Sequence, residues 1–438
     1  MTTGRRPKRV SRRELVAGMG AATFGGVIAG GAGGFFGGRS TNSEASTAVK
    51  GKPLTIGVLA PVTGAAAADG QEMVRGVKLG VAEVNAGGGV GGRPLRIALL
   101  DAKDQTPEIM TSAMRKFVAD RVGAIFAPFI TYTNVETPIV GKAKIPLFHV
   151  NTFQGNVDFA VKNGYRNIFQ LCPSEIWYAH GFLDVMQRLI DGGKFTPRNK
   201  TVAIVSSNDA YSISIARTFR KDVTKLGWKV VQFDTYTVPQ SEWGATLTRI
   251  RERNPDVVFQ SDYFVGDEAS FIKQFAQAPS KSLVYQQYAP SVPEYLKLAG
   301  SAADGVLWAT TTGTIVDDDL GQRFVAAYKK AYDQQPGLAN AGNQYDGVKL
   351  WAQAAGLASD PLNYDEVGDH VRSLVVRGVN GTYKLGPDQQ TNLPYPAKVK
   401  DPSLGEPLLT FQIQNGEHVL ISPDPYTKGE FKPPAWLA

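Results

Sequence analysis

From residue 52 onward the chain alternates short apolar runs with longer amphipathic ones, and this alternation restricts the fold more than any other feature. Parallel strands need connections of a dozen residues or more, usually a helix, so the pattern spells βαβ units and a largely parallel sheet. Residues 54–59 form a buried strand, ended by Pro61-Val62-Thr63-Gly64. Residues 71–85 place Met73, Val77, Val81 and Val84 at helical spacing. A strand at 94–101, a helix around 108–119 and apolar runs at 123–126 and 145–150 continue the series.

A second series begins at the strand 201–205 and the helix 212–226. Three further strands are predicted at 229–233, 256–260 and 282–285, with helices at 243–253 and 268–277 between them. That is two successive α/β lobes of similar build. Three helical stretches follow at 320–333, 341–358 and 365–376. The tail changes character: a Pro-rich loop, then apolar runs at 408–413 and 418–421 around an Asn415-Gly416 turn, which reads as a hairpin.

The first 48 residues stand apart. Ser11-Arg12-Arg13 ahead of a Gly/Ala-rich, mildly apolar run looks like a twin-arginine export signal, with Ser46-Thr47-Ala48 or Ser43-Glu44-Ala45 as the cleavage site. An uncleaved signal would instead tether the protein to the membrane. The net charge of +7 invites a nucleic-acid reading. Residues 1–48, however, hold 7 of the 47 basic residues and 2 of the 40 acidic ones, which leaves 40 against 38, or +2, for the remainder. No basic run with interleaved aromatics exists there, so no nucleic-acid partner is expected.

The search for chemistry mostly finds absences. The four histidines (His149, His180, His370 and His418) lie far apart, so no metal site is expected, and no cofactor. There is no Gly-x-Ser-x-Gly elbow and no phosphate-binding Gly-x4-Gly-Lys motif. The run Gly87–Gly92 fits Gly-x-Gly-x-x-Gly but follows a helix and precedes a strand, the reverse of a dinucleotide site. Cys172 reads as a small buried thiol. What remains are polar and aromatic residues just after strands: Thr63, Thr131, Tyr132, Asn151, Thr152, Tyr211, Tyr263 and Gln287. They converge if the lobes face each other with strand ends inward, where hydroxyls and amides hold polar groups and tyrosines enclose the ligand.

The stretch Ile56-Gly57-Val58-Leu59-Ala60-Pro61-Val62-Thr63-Gly64 resembles the branched-chain amino-acid-binding protein family, as do Glu83-Val84-Asn85-Ala86-Gly87-Gly88 and Gly91-Gly92-Arg93-Pro94-Leu95. These are type I periplasmic solute-binding proteins of ABC importers. The resemblance implies two Rossmann-like lobes joined by three crossovers near Pro173, Trp308 and Gly381. The lobes would then be 52–172 with 309–380 and 173–308 with 381–425, followed by a tail at 426–438. It implies a monomer that grips a ligand carboxylate through Thr131 and Tyr132, with Asn151, Thr152, Tyr211 and Tyr263 around it, and serves an ABC permease without catalysis. One departure concerns the ligand. Where amino-acid binders of the family place an acid for the α-ammonium, after Tyr285, this chain has Gln286-Gln287. A zwitterionic amino acid then needs Asp262 or Asp209 as substitute; amides, urea-like compounds and simple carboxylates are rivals. Phe129, Tyr132, Phe153 and His149 would accommodate a ring. A sensor of the same build without transport, or an exported hydrolase, are the other readings.

Overall fold

The computed structural model describes residues 51–64 and 66–437, so the expected export signal lies outside the described residues. The first lobe holds a five-stranded sheet in the order β2-β1-β3-β4-β5, formed by β1 (Leu54–Ala60), β2 (Leu95–Asp101), β3 (Ile125–Phe126), β4 (Leu147–His149) and β5 (Ile168–Gln170). All its pairings are parallel. The crossover helices are α1 (Ala67–Ala86), α2 (Pro107–Ala119), α3 (Thr137–Ala143) and α4 (Gln154–Lys162). Successive strand residues serve opposite faces. Ile125, Leu147 and Ile168 join Phe117 in one core, while Phe126, Phe148 and Phe169 join Trp351 in the other. Burial on both faces is why these strands read as unbroken apolar runs. The glycine run after α1 is an αβ turn in which Gly88, Gly89, Gly91 and Gly92 all take positive φ, a conformation that glycine adopts at no steric cost.

The second lobe opens with α5 (Ile176–Asp191). Its parallel strands are β6 (Thr201–Ser207), β7 (Lys229–Tyr236), β8 (Val257–Ser261), β9 (Leu283–Gln286) and β10 (Leu307–Thr310). Between them lie α6 (Ala210–Lys225), α7 (Gly244–Arg253), α8 (Val265–Gln277) and α9 (Pro293–Ala299). The order β7-β6-β8-β9-β10 repeats that of the first sheet, and both sheets reverse direction of progression beside their first strand. Later segments return to the first lobe as α10 (Asp319–Tyr332), α11 (Asn340–Leu357) and α12 (Tyr364–Ser373). α11 is buried along most of its length and packs on α1 so closely that a Cβ on Gly76 would lie 2.1 Å from the Ala341 carbonyl oxygen.

Three passages join the lobes. The first runs from β5 into α5, near Pro173, and the second leaves β10 just past Trp308. The third differs from the expectation at Gly381. The short strands β11 (Val376–Gly378) and β12 (Gly381–Tyr383) stay with the first lobe, where the Tyr383 hydroxyl donates to Asp346 of α11 at 3.0 Å. Further on, Gln170 of β5 still pairs with the backbone of Gln390 and Asn392. The chain passes β13 (Pro394–Tyr395) and crosses only after β14 (Glu406–Pro407). It then adds the hairpin β15 (Leu409–Gln414) and β16 (Glu417–Ser422) to the second sheet. Its turn residues Asn415 and Gly416 have φ of 54° and 76°, the left-handed pair that a two-residue hairpin demands. The tail runs back along this lobe, with Phe431 buried and Trp436 Nε1 donating to the Ser282 carbonyl at 2.9 Å.

One carboxylate staples the second sheet. Asp256 is buried and accepts from the amides of Arg198 (2.8 Å), Asn199 and Thr201 (both 3.0 Å) and from Arg198 Nε at 3.1 Å. Burial alone would raise its pKa; the bonds from Thr201, Arg198 and Asn199 outweigh it and hold the group below the usual carboxylate range. Asp256→Asn is expected to destabilise the protein by about 3 kcal/mol in urea denaturation at neutral pH. A depressed carboxyl stabilises above its unfolded pKa of about 4 and loses that contribution as pH falls through the folded value. The difference between variant and parent should therefore shrink toward acid pH.

Candidate ligand cleft

The carboxyl ends of both sheets face a cavity of about 420 Å³, where open α/β sheets place their ligands. The wall from the first lobe is the loop after β3, and it is held from behind by side chains. The carbonyl of Ile130 accepts from Asn151 Nδ2 (2.6 Å), that of Thr131 from Asn156 Nδ2 (2.8 Å) and that of Tyr132 from Asn134 Nδ2 (3.2 Å). The buried Glu136 carboxylate accepts from both the amide and the hydroxyl of Thr131, each at 2.6 Å. These bonds make the loop a rigid, pre-formed wall rather than an adaptable one.

The second lobe contributes tyrosines. Asp209 caps α6 by accepting from the amides of Tyr211 and Ser212 at 3.0 Å, which puts Tyr211 in the first turn facing the cavity. Gln287 Nε2 donates to the Tyr211 hydroxyl at 2.7 Å, and the Tyr263 ring meets the Tyr211 ring edge-on, centroids 5.9 Å apart. Asp262 turns away. It accepts from the amides of Tyr263 and Phe264 and from the Tyr236 hydroxyl, and burial pushes it up to about 7.

Of the residues singled out from the sequence, Thr131, Tyr132, Asn151, Thr152, Tyr211 and Tyr263 come together around the cavity. Thr63 does not. It is exposed, and its amide and hydroxyl donate to Asp101, closing the turn after β1. Gln287 is buried one layer back, positioning Tyr211. Among the proposed ring contacts, Phe129 lines the cavity, while Phe153 packs edge-on against Tyr132 with centroids 5.1 Å apart. His149 is buried behind the wall, where desolvation lowers its pKa to about 3 and keeps it neutral. Neither Asp209 nor Asp262 lines the cavity, so neither supplies the acid that the loop after Tyr285 lacks.

Sequence reasoning missed the acid that is there. Asp69, in the first turn of α1, lines the cavity. Burial pushes its pKa up to about 6, against the lowering effect of hydrogen bonds from Tyr288 and Asn340. The Asn340 amide lies between Asp69 Oδ1 (3.0 Å) and the Tyr288 hydroxyl (3.2 and 3.0 Å). Asn340 starts α11 of the first lobe and Tyr288 follows β9 of the second, so this chain of bonds spans the cleft. A usable signal was its position: Asp69 follows the carboxyl end of β1, the strand at which the sheet order reverses. No group of metal-ligating side chains occurs among the described residues, and no described helix is long and apolar enough to cross a membrane.

Two like-ordered α/β lobes, three passages and a cavity walled from both sides define a clamp that holds a small molecule. Comparison with known proteins agrees. The model of the periplasmic binding protein family matches residues 53–397. The Leu/Ile/Val-binding protein homolog 8 of Brucella abortus (strain 2308) is 26% identical over 387 residues, 85% of this chain and 91% of that protein. A crystal structure from Silicibacter pomeroyi, assigned to a branched-chain amino acid ABC transporter, has a TM-score of 0.83 at 33% identity, covering 88% of this chain and 100% of that one. A solute-binding protein of an ABC transporter from R. palustris, solved with benzoate, shares the fold with a TM-score of 0.67 at 20% identity over 84% of this chain and 96% of that one. The chain belongs to the periplasmic binding protein family, as a solute-binding protein of the ABC-importer type.

Proposed function

We propose that the cavity between the lobes is the solute site, lined by Thr131, Tyr132, Asn151, Thr152, Tyr211 and Tyr263 together with Asp69, and that the loaded clamp delivers its cargo unaltered to an ABC permease. The observation that carries this reading is the enclosure of the cavity by both lobes, with Tyr288, Asn340 and Asp69 bonded across it. A solute touching both walls binds only the closed form and so draws the equilibrium toward it. The protein acts as a monomer without cofactor or nucleic acid, exported by the twin-arginine signal in residues 1–48. The three passages divide it into lobes, and the tail from residue 426 goes with the second. The test is thermal unfolding with a panel of amino acids, amines, amides and carboxylates. A true ligand at a hundred times its Kd adds about 2.7 kcal/mol of stability, and mass spectrometry should recover it unchanged. Absence of any shift across the panel, or recovery of a cleaved product, overturns the reading.

A further inference from the structure

Given that reading of the cleft, we propose that it selects its solute by a cationic nitrogen (an ammonium or a protonated nitrogen heterocycle) that pairs with Asp69, while an apolar, ring-sized body lies among the aromatic side chains. Three observations carry this. First, Asp69 is the one charged side chain among the described residues that line the cavity; no Lys, Arg or His faces it there. Its neighbours do not balance it. Asn340 and Tyr288 are neutral donors, and Glu72, one turn along α1, adds a second acid whose pKa burial raises to about 7. The nearby Arg75 offsets part of the charge of Glu72 but lies over the Tyr332 ring, 5.9 Å from its centroid, and is not among the groups that act on Asp69. A half-buried carboxylate without a counter-charge is costly, and a ligand cation removes that cost.

Second, the lining is aromatic: Phe129, Tyr132, Tyr178, Tyr211, Tyr263 and Tyr288. Ring faces attract cations, most strongly when water is excluded, and also take flat apolar bodies. Third, the acid end of a ligand finds little here. Of Thr131 and Tyr132, the two residues that the family resemblance assigns to a ligand carboxylate, Thr131 has both its amide and its hydroxyl engaged by the protein's own Glu136. A carboxylate placed at that wall faces Glu136 behind it and no cation in front. Discrimination therefore rests on the nitrogen.

The test is calorimetric titration of the full chain with matched compounds at pH 7.5: phenyl, pyridyl and branched-alkyl bodies, each bearing an amine, an amino acid head, a hydroxyl or a carboxylate alone. The nitrogen-bearing member of a series is expected to bind at least tenfold tighter than its carboxylate counterpart. Asp69→Asn should erase that margin, lowering affinity for the nitrogen-bearing members far more than for their hydroxyl analogues. Because the variant could disturb folding, a second readout uses the parent protein with the quaternary trimethylammonium analogue of the best binder. Its affinity should drop severalfold from pH 7.5 to pH 5, as Asp69 and the neighbouring Glu72 take up protons. A nitrogen-free carboxylate as the tightest binder, or a margin that survives both Asp69→Asn and acid pH, overturns the inference but leaves the solute cleft standing. No binding by any compound overturns the cleft itself.

Discussion

Gly76→Leu is expected to unfold the first lobe at temperatures where the parent protein is folded. A Cβ at this position would approach Ala341 O to 2.1 Å and Ala341 C to 2.9 Å, and both are backbone atoms of α11 that no rotamer change can move. The helices must part, and α11 is buried along most of its length, so the whole contact opens. Ordinary overpacking costs about 1–3 kcal/mol; a clash with helix backbone should exceed about 3 kcal/mol, read as a lowered urea midpoint. The same pair of helices brings Asp69 and Asn340 to within 3.0 Å, so solute binding should vanish with the packing. Gly356→Ala on the same α11, where an added Cβ meets nothing within 4 Å, is the control and should be neutral or slightly stabilising. Equal stability of parent and Gly76→Leu would show that the two helices do not pack as described.

Tyr211→Ala should weaken solute binding by about 30-fold or more, the scale on which a buried aromatic anchor acts. Its ring walls the cavity from the second lobe, its hydroxyl receives Gln287, and it braces Tyr263 edge-on. Removal therefore loosens two rings and leaves a buried amide without its partner. Tyr211→Phe keeps the wall and loses only the hydroxyl, so it should recover most of the affinity. Calorimetric titration with the best solute from the panel measures both, and circular dichroism separates lost affinity from lost fold. Affinity within twofold of the parent in Tyr211→Ala would remove this residue from the site.

The strands were legible because burial on both faces writes itself into adjacent residues, as at Ile125-Phe126 and Leu147-Phe148. The hairpin was legible because only a few residue pairs tolerate the two left-handed conformations that Asn415 and Gly416 adopt. The loops after strands were marked by where each apolar run gives way to polar and aromatic residues, and six of the eight residues chosen there line one cavity. What failed was non-local. Thr63 stands in a loop of the right kind, but its donors turn to Asp101 at the end of the neighbouring strand. The third passage leaves no mark at Gly381 because what delays it is the pairing of Gln170 with residues far along the chain. The search for an acid went to the second lobe because the resemblance pointed there, whereas Asp69 sits in an alanine-rich stretch of a first-lobe helix, marked only by its place after the carboxyl end of β1.

Cys172 lies fully buried in the first passage, its Sγ 3.5 Å from the Val150 carbonyl, and burial pushes its thiol well above the usual range. Thiolate is the species that reacts, so this sulfur is inert to alkylating reagents in the folded protein. As the sequence holds one cysteine, the native surface is chemically blank toward maleimides. A cysteine placed at the cleft mouth, for instance at the exposed Thr133, would then take a fluorophore at that point alone. The dye would sense the second lobe arriving and leaving, turning the clamp into a reagentless optical sensor for whatever it carries.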